Sequence, residues 1–480
     1  MHVNRREFLR KSICAALGGA SLYSALGSLR LIGAAAAAER PAGDYKALVC
    51  IFLYGGNDSF NTVVPVSGQD QANYLAARGD LAVTNPLPLT PAAGGGPANY
   101  GLHPSMTDLA SLFNNESKVA IVSNVGSLLY PVTQQQYQDG TVPTPPQLFS
   151  HDDQTNQWQT SRPDDPNANG WGGRIADLLH SSNAGQVPMS ITLSGQNRFQ
   201  RGAVVSQYSV DAWCAAGAAA GNPDCGQFSV TTMNYLGQGP ESWLIDWDDP
   251  NVVANDDAAY NALIASGTQT HVLERAFADS ATRTIANSTL INQALAGVTL
   301  STPFPDTDLG NQLAAVAMLI KVRQALGMSR QVYFVSAWNY DTHGTQLVDQ
   351  AQNLTELSQG IYAFYRATEE LGIADSVTAF TASDFGRSLA VNGDGTDHGW
   401  GGHHFVVGGA VNGKRIYGTM PSLLADGNPD DTGYGQIIPT QAVDQYAATL
   451  ASWFGVGAGS LNDIFPNLGR FPSSNLGFMS

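Results

Sequence analysis

The chain has 480 residues, 43% of them hydrophobic and 13% charged, and a formal net charge of -17 from 23 Lys and Arg against 40 Asp and Glu. The hydrophobic share suits a globular protein, and the length fits one large α/β domain with insertions or two domains. The acidic balance excludes nucleic acid as a partner, because too little positive charge is present to neutralise phosphates.

The first element is an export signal. Asn4-Arg5-Arg6-Glu7-Phe8-Leu9-Arg10-Lys11 is a twin-arginine pattern with an apolar residue two places after the second arginine. A moderately apolar Gly/Ala-rich run follows to Ile32, and Ala34 to Ala38 suit a signal peptidase. Residues 1–38 are expected to engage the twin-arginine translocase and be removed, leaving a periplasmic or secreted chain with no stable membrane span. That chain carries 18 basic and 39 acidic residues. Of its cysteines, Cys50 lies in an apolar run, whereas Cys214 and Cys225 flank a Gly/Ala loop that a disulfide can close in an oxidising compartment.

Tyr45 to Tyr54 is a near-continuous apolar run, as in a parallel strand buried on both faces. It ends in Gly55-Gly56-Asn57-Asp58, a Gly-rich turn at the strand end where open α/β sheets place their sites. Ser67 to Asn99 reads as a loop or insertion. Pro104 to Phe113 reads as a helix and Lys118 to Gly126 as a second buried strand. Ser150 is a candidate N-cap for a helix through Gln159, with Asp153 three residues on. A further helix opens at Gly170-Trp171 and a strand covers Pro188 to Ser194. Residues 195–308 read as a loop-rich or helical insertion, with an acidic stretch around Asp246 to Asp257 and a helical region ending near Ala296.

The α/β alternation then resumes. Leu309 to Leu326 is an amphipathic helix. Gln331 to Trp338 is a strand ending at Asp341-Thr342-His343. Val348 to Leu371 is a long helix, and Ser376 to Ala382 a strand ending at Asp384 and Arg387. His404 to Gly409 is a strand and Gln441 to Phe454 a closing helix. The expected architecture is a doubly wound, mostly parallel α/β sheet with helices on both faces.

In such a sheet the strand ends share one edge. Asp58, Asp341 with His343, and Asp384 can therefore converge with Thr396 to His404, which holds three of the nine histidines. Carboxylates and imidazoles in that mixture suit one or two divalent ions of the zinc, manganese or calcium class. An aspartate after a strand also commonly caps the next helix.

These motifs, from the twin-arginine start through Gly55-Gly56-Asn57-Asp58, Ser150-His151, Gly170-Trp171, Asp341-Thr342-His343-Gly344, Asp384-Phe385-Gly386-Arg387 and Thr396-Asp397-His398-Gly399, resemble the exported proteins of the domain of unknown function 1501 family. That family is grouped with the alkaline phosphatase and sulfatase superfamily. The resemblance implies an alkaline phosphatase-like fold over residues 39–480 and metal ligands at Asp58, Asp341, His343, Asp384 and His398, with His403 or His404 as further choices. Asp397 would orient His398. Phe385 stands where the superfamily pairs a histidine with Asp384, and no formylglycine-type Cys-x-Pro-x-Arg segment occurs. Ser150 would be the nucleophile or a plain cap. Arg387 and Arg174 would hold an anionic substrate or serve in ion pairs. His151 is either a ligand or a helix-start residue. The expected activity is hydrolysis of a phosphate or sulfate ester on a small molecule or polymer. The alternative is a non-catalytic secreted binding or surface protein. No dinucleotide-binding turn or cluster-binding cysteines support a redox role.

Overall fold

A computed structural model describes residues 44–210 and 270–480. The twin-arginine segment, the Cys214 and Cys225 pair and the acidic stretch at 246–257 lie outside those residues.

Among the described residues the centre is a nine-stranded sheet. Its strands are β1 (Lys46–Leu53), β2 (Val119–Gly126), β3 (Ser190–Thr192), β4 (Tyr208–Ser209), β5 (Arg330–Ala337), β6 (Val377–Ser383), β7 (Gly402–Gly408), β8 (Arg415–Tyr417) and β9 (Gln441–Ala442). The spatial order is β8-β2-β7-β6-β1-β5-β3-β4, and β9 also pairs with β2. β1 lies between β5 and β6, parallel to both. The expectation of a mostly parallel α/β sheet holds, with one exception. β7 runs antiparallel to both β2 and β6.

Helices cover both faces. They are α1 (Thr107–Asn114), α2 (His151–Thr160), α3 (Trp171–Leu179), α4 (Val272–Leu295), α5 (Asp308–Lys321), α6 (Gln346–Glu370) and α7 (Val443–Phe454). Successive β1 side chains point to opposite faces. Ala47, Val49, Ile51 and Leu53 pack with α1, α5 and α6. Leu48, Cys50 and Phe52 pack with α3 and α7. A strand buried on both sides has no polar face, which is why β1 reads as a near-continuous apolar run and β2 and β6 as mostly apolar runs with a few uncharged polar residues.

The antiparallel strand has a consequence for the site. Where its parallel neighbours end, β7 begins, so the segment before it returns to the same sheet edge. That segment forms a two-stranded hairpin of Arg387–Val391 with Thr396–His398, in which Arg387 lies opposite His398. β7 also starts two residues earlier than the sequence suggests. His403 and His404 therefore enter the sheet interior and are both buried.

Candidate metal centre

Four groups converge over the ends of β5 and β6. They are Asp341 after β5, His343 two residues later, His398 at the end of the hairpin, and His151 in the first turn of α2. One ligating atom each from His151, Asp341 and His398 lie within 4.8 Å of one another. The His343 Nε2 is 2.9 Å from His398 Nε2 and 3.1 Å from an Asp341 oxygen. Asp341 oxygens stand 3.4 Å from His151 Nε2 and 3.4 Å from His398 Nε2. Donors at about 2.0–2.1 Å around a tetrahedral ion are separated by roughly 3.3 Å, so this spacing fits one cation.

The far side of each imidazole supports the same reading. His398 Nδ1 lies 2.7 Å from the Phe149 carbonyl. A carbonyl only accepts, so Nδ1 carries the proton and Nε2 presents a lone pair to the cluster. His151 Nδ1 lies 2.7 Å from Asp384 Oδ2, and His343 Nδ1 3.2 Å from Asp397 Oδ1. Three Nε2 atoms therefore lie within 3.4 Å of Asp341 oxygens, with each ring held from behind by an acceptor, the arrangement that orients metal-binding histidines. Phe149 takes a left-handed backbone, φ 72°, to turn its carbonyl toward His398. A non-glycine residue adopts that conformation only where its surroundings compel it.

The electrostatics divide the histidines. The hydrogen bond to Asp384 raises the His151 pKa against the effect of burial. Burial lowers that of His398 and favours its neutral, ligating form. Burial opposes ionisation of Asp341, but the hydrogen bond and charge of Arg387 prevail and hold its carboxyl below the usual range.

Not all the expected ligands are in the cluster. Asp58 is buried and accepts two hydrogen bonds from Arg78, at 2.5 and 2.8 Å, and another from Gln346. It also caps the short helix Ser59–Thr62 through the Phe60 and Asn61 amides. Its oxygens are thus engaged by a guanidinium. Asp384 stands one layer back, bonded to His151 and to the Gly55 amide at 3.0 Å. His403 accepts from the Asn124 amide at 3.0 Å inside the sheet, and His404 packs on Trp158. Asp397 orients His343 rather than His398.

The expected catalytic residues are also committed. The Ser150 hydroxyl caps α2 and donates to Asp153 at 2.7 Å, which fixes the helix start and so the position of His151. Arg387 is fully buried and donates to Thr396, the Gly55 carbonyl and Asp341. It thereby holds the Asp341 carboxylate in place. Arg174 donates to the backbone carbonyls of Asn169, Thr160 and Ile464. Phe385 packs against the cluster, its ring 4.9 Å from His151 and 4.8 Å from His398.

His151 is the residue the sequence left undecided. The one available signal was a histidine directly after a capping serine, which sets its side chain at the mouth of a helix N-terminus.

Gly55 makes a close approach necessary. Its φ is +115°, and a Cβ there would lie 2.3 Å from the Asp341 amide nitrogen. Gly55→Ala is expected to cost about 3 kcal/mol, from backbone strain and overpacking together. Urea unfolding of the variant checks this.

The buried histidines set an acid limit. Burial lowers His403 to about 4, His404 to about 3 and His103 to about 4. Below about pH 6.5 the unfolded chain takes up protons at these three sites while the folded chain refuses them, so stability falls as pH falls. Asp444, which burial raises to about 7, opposes the trend, because the folded state already holds its proton. Three groups outweigh one. Metal-stripped protein is expected to lose several kcal/mol of unfolding free energy between pH 7 and pH 4.5, read by urea titration at both values.

No curated protein sequence matches the chain. Among solved structures, the PsFucS1 sulfatase from Pseudoalteromonas sp. is 11% identical, with 89% of this chain and 72% of that chain covered and a TM-score of 0.31. Ps i-CgsB in complex with k-i-k-neocarrahexaose is 9% identical, with 89% and 76% covered and a TM-score of 0.31. The family model described as "Protein of unknown function (DUF1501)" matches residues 45–434, which include every residue of the cluster. The chain belongs to the DUF1501 family.

Proposed function

We propose that the chain is an exported, divalent-metal-dependent hydrolase of a phosphate or sulfate ester. The observation that carries the reading is the convergence of three imidazole Nε2 atoms on Asp341, each ring anchored at Nδ1. Three nitrogens and one carboxylate suit zinc, or manganese, better than calcium, which takes oxygen ligands. A bound ion would polarise the ester and lower the pKa of water. His151, His343, His398 and Asp341 would hold it. Asp384, Asp397, the Phe149 carbonyl and Arg387 would fix their orientation. The proton on His151 competes with an ion, so affinity should weaken as pH falls. Export rests on the twin-arginine pattern of residues 4–11. Among the described residues no helix is long and apolar enough to cross a membrane.

The test is metal analysis of chain purified gently from the periplasm, followed by turnover of aryl phosphate and aryl sulfate. One zinc or manganese per chain with metal-dependent release of the phenol supports the reading. Absence of stoichiometric metal would overturn it. The second reading, a non-catalytic binding protein, is favoured by the engagement of Ser150 with Asp153 and of Arg387 with Asp341. It prevails if metal is present and no ester is cleaved.

A further inference from the structure

We infer that the sheet edge beside the metal cluster carries a carbohydrate-binding groove built on a stacked pair of aromatic rings. Tyr54 directly follows β1 and Trp338 directly follows β5, so the two lie side by side where these parallel strands end. Their rings stack at 4.2 Å between centroids and 15° between planes. Trp338 is 59% exposed, although a side chain of its size gains most by burial. The Tyr54 hydroxyl is 3.4 Å from the Gln159 amide, which ties the platform to α2.

A cleft opens on each side. The first, of about 450 Å³, runs from Trp338 to Asp341 and is lined by Asp349, Glu356, Gln352 and Asn353. The second, of about 550 Å³, runs from Tyr54 past Gln159, Gln196 and Asn197 to Arg201. The chemistry of this surface is selective. An aromatic face with a negative quadrupole meets the C–H face of a sugar ring, and carboxylates and amides bond ring hydroxyls. A pyranose on Trp338 would lie in the cleft that Asp341 closes. A sugar chain continuing past the edge of Tyr54, whose ring also packs on Phe52 at 4.6 Å, would reach Arg201, which suits an anionic substituent.

The inference deepens the proposed ester hydrolysis by naming a sugar ester as its substrate class, and it rests on that reading for the reacting group alone. Binding by the groove needs no metal.

The test is affinity electrophoresis of the full chain in gels holding a neutral β-glucan, a carboxylated uronan or a sulfated galactan. Tryptophan fluorescence titration with the same polymers gives the constants. The expected result is retardation by at least one polymer. Trp338→Ala should weaken that binding roughly fivefold to tenfold, Trp338→Phe should retain most of it, and treatment with a metal chelator should leave it intact. Trp338 is exposed, so its truncation leaves the fold in place, checked by the thermal transition. Retardation by none of the three polymers overturns the inference, as does unchanged binding by Trp338→Ala. Polymer binding without ester cleavage would overturn the hydrolase and keep the groove.

Discussion

Asp341→Ala is expected to abolish stoichiometric metal binding and weaken zinc affinity by more than about 100-fold, since loss of an outer group that merely orients a ligand already costs 10–100-fold. Asp341 is the only carboxylate among the four converging groups and the one each histidine approaches. The fold should survive. The Asp341 side chain is 43% exposed, and Arg387 keeps its bonds to Thr396 and the Gly55 carbonyl. A stability loss of about 2–3 kcal/mol is expected, because the fully buried Arg387 loses its carboxylate partner. Asp384→Asn provides the graded comparison. It leaves all four donors in place but disturbs the anchor of His151, so a 10–100-fold loss of affinity is expected with the stoichiometry kept. Competition against a zinc-chelating dye measures all three proteins on one scale.

Asp58→Ala should do the opposite. It removes one half of an ion pair whose side chains are both fully buried, leaving the Arg78 charge stranded. Breaking a buried pair by removing one partner costs about 3–5 kcal/mol. Arg78 also donates to the Ser388 carbonyl at 3.2 Å and lies over the Phe60 ring, contacts too weak to replace a carboxylate. The expected outcome is a large loss of unfolding free energy with metal content unchanged. A variant that keeps its stability but loses its metal would return Asp58 to the ligand set.

These two aspartates show what the sequence could and could not reveal. Both follow a buried strand at the same sheet edge, and strand periodicity alone treats them alike. What separates them is Arg78, twenty residues beyond Asp58 at the end of the helix Gly68–Arg78. No spacing rule links a helix-terminal arginine to a strand-end carboxylate. The principal strands β1, β2, β5, β6 and β7 were legible because burial on both faces leaves mostly apolar runs. The helices α5, α6 and α7 showed through their amphipathic period or their length.

The direction of β7 was not legible. An antiparallel strand flanked on both sides is as apolar as a parallel one, and only its pairing reveals that Thr396 to His398 must return to the ligand edge. The same step carried His403 and His404 inside. His343 and His398 lie at that edge, whereas His151 could be resolved only by seeing α2 aim its first turn at Asp341. Outer groups such as the Phe149 carbonyl leave no mark on the sequence, since any residue supplies a carbonyl.

The most direct test of the cluster is X-ray absorption at the zinc edge on the zinc-loaded chain. The ligand set His151, His343, His398 and Asp341 predicts one ion with three imidazole nitrogens and one oxygen at about 2.0–2.1 Å. A shell of oxygen alone, or one with fewer than two imidazoles, would contradict it.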